Sequence, residues 1–298
     1  MNISLKNNCG LREKTIALVK QIDSLSVDPE VISEILFLLK NPNANFGILA
    51  KNIQRDHGLL VKILSIANSK LNVIPKRIYS IERAIIMLGL EKIKNIVTET
   101  DNNNFLNSHD IDEWYRNYFW RHSILVANTA RTIAEDLDYR NPDEVFTAGL
   151  LHDIGILVIR YFFPEEFDEL KLLVKQDGFP VKKAEEITLG LNHSEIGKIL
   201  LDKWILPDII SEAVEYHHSP SSAGEGIIAS SIINLSDFLI NGIGMSKNFW
   251  DKELELDEEC LSILKINEGK FNGHLPFVYL DVLREIMSKD NTKSRNYL

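Results

Sequence analysis

Six ionisable residues in the second half of the chain fall at positions where helical periodicity calls for apolar side chains. His122 lies between Phe119 and Leu125/Val126 at three- and four-residue spacing. His152 shares a face with Ala148 and Ile156, and Asp153 with Leu150 and Leu157. His193 goes with Ile196 and Leu200, His217 continues the stripe Ile210, Ala213, Val214, and Asp237 sits between Ile233 and Ile240. For any single inward histidine the plainer alternative is a core imidazole hydrogen-bonded to a carbonyl. A buried carboxylate is more demanding, costing at least ~2–3 kcal/mol unless cations or several donors surround it. Neither Asp153 nor Asp237 has an Arg or Lys three or four residues away on its own face. Two such carboxylates beside four inward imidazoles point to a shared metal cluster rather than to independent core residues.

Neutral imidazoles with carboxylates suit a divalent ion, one or two of Fe, Mn, Ni, Zn or Mg, and without thiolates nothing selects a soft metal. Asp153 is the candidate catalytic residue. A carboxylate can bridge two ions ~3.5–4 Å apart and so activate water toward a phosphate ester. His152 and Asp153 offer adjacent ligands, His122 and Asp237 arrive from other helices, and His193 and His217 would complete a second position. His218 lies about 100° round the helix from His217 and is ambiguous between ligand and supporting residue. His57, His109 and His274 lack such surroundings and read as ordinary histidines.

The elements that must hold these groups read as all-α. Leu59, Leu60, Ile63, Leu64 and Ala67 form one stripe after Asp56, a plausible N-cap. Ser80 can cap the next helix, with face Ile81, Ala84, Ile85 and Leu88, which Gly89 interrupts. Asn141-Pro142-Asp143-Glu144 and Leu206-Pro207-Asp208 read as helix starts, with proline at an entry and acids toward the positive end of the dipole. Strand-like alternation is confined to short runs such as Leu71 to Ile74. Polar, loop-forming clusters at residues 101–112 mark the best boundary. They divide an N-terminal helical subdomain (1–105) from the helical domain carrying the His/Asp cluster (106–245). A C-terminal extension (246–298) follows, with an acidic solvated run at Asp251 to Glu259 and a last amphipathic helix at Pro276 to Met287.

With 298 residues, 45% apolar and 26% charged, the chain has ordinary globular composition. Its formal charge of −10, with no compensating basic block, argues against nucleic acid. Met1 to Gly10 contains no apolar run of the signal-peptide kind, and no stretch approaches the ~20 apolar residues of a membrane span, so the expected location is cytoplasmic. Cys9 and Cys260 lie far apart without a neighbouring thiol, which suggests neither a disulfide framework nor a thiolate site.

His122, then Leu151-His152-Asp153-Ile154-Gly155, then Asp237, resembles the HD superfamily of metal-dependent phosphohydrolases. The added His193 and the His217-His218 pair resemble the extended ligand set of its cyclic-di-GMP phosphodiesterase branch. Four further blocks are similar to a more specific relative, the HDOD (HD-related output domain) family. These are Asp56-His57-Gly58-Leu59 through Ser69, Ser80-Ile81-Glu82-Arg83-Ala84-Ile85 through Leu90, Glu185 through Asn192-His193-Ser194-Glu195-Ile196-Gly197, and Trp204-Ile205-Leu206-Pro207. The resemblance spans about residues 14 to 240. It implies an HDOD-type helical domain packed with its N-terminal subdomain. It also implies a bacterial signal-transduction role, with a protein signalling partner, a nucleotide-type ligand, or both. The alternative it carries is a metal-dependent phosphohydrolase acting on a nucleotide or cyclic dinucleotide. Two departures weigh against efficient catalysis. Gly155 is followed by Ile156 where the His-Asp helix usually continues Gly-Lys, and the Gly-Tyr-Pro segment of the phosphodiesterase branch is missing after His218.

Overall fold

The computed structural model describes residues 6–41, 44–69, 77–104, 113–242 and 256–266, and among them every regular element is a helix. The first part is α1 (Lys6–Val19), α2 (Pro29–Leu38), α3 (Phe46–Ile53), α4 (His57–Ser69), α5 (Ile81–Leu88) and α6 (Leu90–Asn104). Asp56 begins α4 as its position suggests: one carboxylate oxygen accepts the Leu59 N–H at 2.8 Å, the other the Asp28 N–H at 2.8 Å. Asp28 in turn caps α2 through the Glu30 N–H and receives the Arg116 guanidinium at 2.7 Å. Two helix starts are thus tied to a turn of π-helix at Tyr115–Phe119, which runs straight into α7 (Trp120–Asp136). Gly89, at φ 77°, separates α5 from α6. Ser80 precedes α5 as expected but does not cap it, since its hydroxyl is drawn to the Glu82 carboxylate at 2.8 Å.

The second part comprises α7, α8 (Pro142–Leu151), α9 (Ile154–Phe162), α10 (Pro164–Lys175), α11 (Val181–Leu189), α12 (His193–Lys203), α13 (Asp208–Tyr216) and α14 (Ile227–Gly242). A short α15 (Cys260–Ile263) packs on α14, where buried Cys260 reaches the Ser231 carbonyl. The prolines at Pro142 and Pro164 stand in the first turns of α8 and α10, where a missing N–H costs nothing. α1 crosses to the second part, its Thr15 hydroxyl donating to the Leu189 carbonyl at 2.7 Å.

Two glycines set the closest approach in the core. A Cβ on Gly155 would lie 1.9 Å from the His193 carbonyl oxygen, and one on Gly197 would meet Val214 at 2.9 Å. α9 and α12 therefore touch backbone to backbone, at the residues that begin both helices.

Among the described residues one span, Pro142–Phe162, which runs through α8 and α9, is long and apolar enough to cross a membrane, with mean hydropathy 1.5. This corrects the expectation that no stretch reaches such a length. That span is 83% buried inside the fold, so its apolarity is that of a core element. Leu71 to Ile74, His109, His274, Pro276 to Met287 and most of the acidic run lie outside the described residues. Where that run is described, Asp257 docks on α14, its N–H bound to Asn234 at 3.0 Å.

His57 is an ordinary core histidine, fully buried. Its Nδ1 lies 2.8 Å from the Tyr115 hydroxyl and its Nε2 2.9 Å from the Leu150 carbonyl. Burial pushes its pKa down to about 3 from the usual 6.5. Between those values only the unfolded chain takes up this proton, so the stability it governs is full above 6.5 and falls as pH drops, by at most ~1.4 kcal/mol per pH unit. His57→Gln should flatten the acid limb of a stability–pH curve; an unchanged limb would place the titration elsewhere. Gly155→Ala should lower stability by about 1–3 kcal/mol through overpacking. A urea midpoint equal to that of the unsubstituted chain would contradict the backbone contact.

Candidate metal centre

The helix carrying His152 and Asp153 does not run on through them, as its periodicity suggests. α8 ends at Leu151, α9 begins at Ile154, and Asp153 stands at the break with φ −100° and ψ 13°. The break turns the carboxylate toward the bundle interior, at the start of α9, where the helix dipole favours negative charge. The Asp153 carboxylate faces imidazoles from four helices or their ends. Its Oδ2 lies 3.1 Å from His152 Nε2 and 3.7 Å from His122 Nε2. Its Oδ1 lies 3.5 Å from His193 Nε2 and 3.6 Å from His217 Nε2. Asp237, from α14, approaches His122 Nε2 at 3.2 Å and accepts the Asn241 amide.

All six residues singled out by their faces come together, and His218 joins them with its Nε2 3.0 Å from that of His193. They form two donor groups. His122, His152 and Asp237 make one; Asp153, His193, His217 and His218 make the other. Within each, the ligand atoms lie within 4.8 Å of one another, close to twice the ~2.0–2.2 Å of a metal–donor bond. Because Asp153 turns one oxygen to each group, it stands between them.

The outward nitrogens fix which lone pairs point inward. His152 Nδ1 is 2.7 Å from the Gly149 carbonyl and His217 Nδ1 is 2.7 Å from the Val214 carbonyl. A carbonyl only accepts, so both Nδ1 atoms carry protons, and each ring when neutral aims an Nε2 lone pair at the centre. Glu185, from α11, does the same for His193. It accepts the ring Nδ1–H at 2.9 Å and the His193 backbone N–H at 3.0 Å. His193 opens α12 behind a capping box in which Asn192 and Glu195 exchange side-chain and backbone bonds at 3.0 Å. Beyond His218, the Glu212 carboxylate gathers the Gly224 and Gly226 N–H groups at 2.8 and 2.6 Å and holds the following loop.

This donor set fits divalent metal. His217 Nε2 is buried without a hydrogen-bond partner. The pairs His122–His152 and His193–His218 bring ring nitrogens to 3.2 and 3.0 Å. Two lone pairs do not approach so closely without a shared proton or a cation between them.

The electrostatics are correspondingly strained. Burial pushes the Asp153 carboxyl upward, yet His152, His193 and His217 outweigh it and hold the pKa well below the carboxylate range. At His152 and His193 burial opposes the charged ring, but Asp153 and Glu185 respectively prevail and raise the pKa. Burial, followed by the repulsion of neighbouring rings, lowers His217 to about 3 and His218 well below its ordinary value. Ile156 is buried, so the first turn of α9 presents no cation. Lys182, half-buried on α11, supplies positive charge felt by His193 and His218.

Glu185 was visible in the sequence only as part of a family block. Its role follows from α11 ending beside the start of α12, which no spacing within one helix reveals. Sequence alone does not assign His218, which lies off the face of His217; the end of α13 at Tyr216 frees it to turn inward.

The HDOD domain family model matches residues 25–220. An uncharacterized protein of Treponema pallidum (strain Nichols) is 25% identical over 210 residues, 70% of this chain and 40% of that protein. The chain thus spans less than half the length of that curated relative. Among solved structures, the MmoQ response regulator from Methylococcus capsulatus str. Bath superposes with a TM-score of 0.60 at 23% identity, covering 83% of this chain and 100% of that one. A virulence factor from Campylobacter jejuni subsp. jejuni gives 0.58 at 17% identity, covering 86% and 98%. At these identities the likeness is one of fold.

The two carboxylates differ in what they neutralise. Asp153 faces four imidazoles, whereas Asp237 faces His122 and Asn241. Asp153→Ala should therefore lower the melting temperature more than Asp237→Ala, by at least ~2–4 °C, equivalent to ~1 kcal/mol in a chain of this size. Equal or inverted shifts in parallel thermal melts would remove Asp153 from the centre of the cluster.

Proposed function

The chain belongs to the HDOD domain family, and from that premise we propose that it is a signal-transduction module built around a divalent-metal-binding His/Asp cluster. His122, His152 and Asp237 would hold one ion and His193, His217 and His218 a second, with Asp153 between. The observation that carries the regulatory reading is the sealing of the cluster. Of the seven donors, six are buried and His218 alone is half-exposed. Ile156 in place of a lysine agrees with it, because a phosphate approaching along α9 meets no cation. In this reading the ions tie together α7, α8, α12, α13 and α14, and the shape so held is what a protein partner or a nucleotide-type ligand reads. The response-regulator role of MmoQ, which shares the fold, is in keeping with it.

One observation favours a second reading, a metal-dependent phosphohydrolase. Asp153 offers one oxygen to each donor group, an arrangement suited to two ions. Bound there, such ions would polarise a phosphoryl oxygen and lower the pKa of water. Asp153 would position both sites, Glu185 would fix the His193 tautomer, and Lys182 would be the cation nearest to an incoming anion.

Elemental analysis of protein purified without chelator should find one or two transition-metal ions per chain. Glu185→Gln should weaken metal binding by about 10–100-fold. A chain that stays metal-free after exposure to Mn or Fe would defeat the proposal. Turnover of cyclic di-GMP should be negligible. Hydrolysis at ~1 s⁻¹ or faster, abolished by Asp153→Asn, would replace the regulatory reading with the enzymatic one.

A further inference from the structure

A cleft of about 410 Å³ opens away from the His/Asp cluster, between the end of α1, the segment that follows it, α4, α6 and the junction of α9 with α10. Its volume lies within the roughly 300–1,000 Å³ of small-molecule sites. Its walls set apolar side chains, Leu18, Ile22, Phe162 and Phe163 among them, beside polar Gln21, Ser24 and Ser26. Leu18 and Phe162 are 40% and 38% exposed, so two of the large apolar side chains that this fold leaves in water face the same opening.

Lys62 is the one lysine or arginine in that lining. Half-buried on α4, it donates to the Thr100 hydroxyl at 2.8 Å; that hydroxyl spends its own proton on the Ile96 carbonyl. An ammonium has three donors and this bond uses one; the Glu99 carboxylate acts on the same ammonium and favours its charged form against burial. The carboxylate in the lining, Asp23, is 93% exposed at its side chain and paired with Lys203 at 2.9 Å, which draws its charge away from Lys62.

We propose that this cleft binds a small apolar monocarboxylate, with the carboxylate on Lys62 and the apolar body against Leu18, Phe162 and Phe163. A single ammonium matches a single negative charge, whereas a phosphate monoester dianion would leave one of its charges without a cation in this lining. No residue of the lining belongs to the cluster, so this site stands whether or not metal binds there.

The probe is decanoate, below its micelle concentration, titrated calorimetrically into the full chain beside decanol and decyl phosphate. Decanoate should bind saturably at one site per chain, at least about tenfold more tightly than decanol, as expected for one charge-assisted hydrogen bond. Lys62→Met, nearly isosteric, should abolish that preference and leave decanol unchanged. Leu18→Trp, at the exposed lip, should fill the cleft and weaken both. Circular dichroism checks that each variant folds. If Lys62→Met does not fold, the decanoate-to-decanol ratio and Leu18→Trp still decide. No saturable binding, equal affinity for decanoate and decanol, or indifference to Leu18→Trp overturns the proposal. Tighter binding of decyl phosphate than of decanoate overturns the monocarboxylate assignment.

Discussion

Burial of the Asp153 carboxylate sets terms that much of the second half of the chain has to meet. A carboxylate with 6% exposure in an apolar bundle interacts strongly with any charge nearby, and left alone it would be protonated or the site would open. Beyond the adjacent His152, its partners cannot come from its own segment, because Leu150, Leu157 and Ile156 occupy the neighbouring faces. They come from elsewhere: His122 from α7, His193 from the start of α12, His217 from just beyond α13. Bringing a helix start so close requires that something give way sterically. Gly155 and Gly197 supply that, since any Cβ at 155 would overlap the carbonyl of His193. The break between α8 and α9 belongs to the same requirement, because it aims the carboxylate at the place where the other helices end.

The rings are oriented by one device used twice. His152 and His217 both follow the last residue of a helix, and each donates Nδ1–H to the carbonyl three residues before it. The last carbonyls of a helix have no partner within it. Each ring therefore satisfies a carbonyl that would otherwise be orphaned and fixes its own tautomer in the same bond. His193 sits at the opposite kind of terminus, where N–H groups are in excess, and there the acceptor has to be a carboxylate. Glu185 takes both the ring proton and the backbone proton of His193. Helix polarity thus accounts for why two imidazoles lean on carbonyls and one on an acid.

What the sequence made legible and what it hid divide along the same physical line. Periodicity placed His122, His152, Asp153, His193, His217 and Asp237 on apolar faces, and the fold brings all six together, because inward orientation within a helix is a local property. The all-α architecture and the starts at Asp56, Pro142 and Pro207 were local too. The helix break at Asp153, the recruitment of His218 and the orienting role of Glu185 were not, since each depends on where a helix ends relative to another. Ser80 shows the limit within a single turn: its type suits a cap, but the nearer Glu82 carboxylate competes for its hydroxyl. The apolar span Pro142–Phe162 shows the reverse, a composition that resembles a membrane segment until packing reveals it as core.

The loss of a lysine after Gly155 weighs differently once the positive field around the cluster is traced. Buried Ile156 means that α9 contributes no charge, but the imidazoles His193 and His218 still feel Lys182 from α11. The cation has not vanished; it acts from α11, on His193 and His218. A lysine in the first turn of α9 would be held by the same helix that carries Asp153, so its distance to the centre would be fixed by the backbone. A half-buried lysine on α11 is tied to the centre through a different helix, whose firmest link to the cluster is Glu185 on His193. The position of that charge relative to the cluster is therefore set by the α11–α12 contact. Stabilising a transition state needs charge preorganised at a fixed point, and a charge carried on a second helix is held to the centre only as firmly as α11 is held to α12.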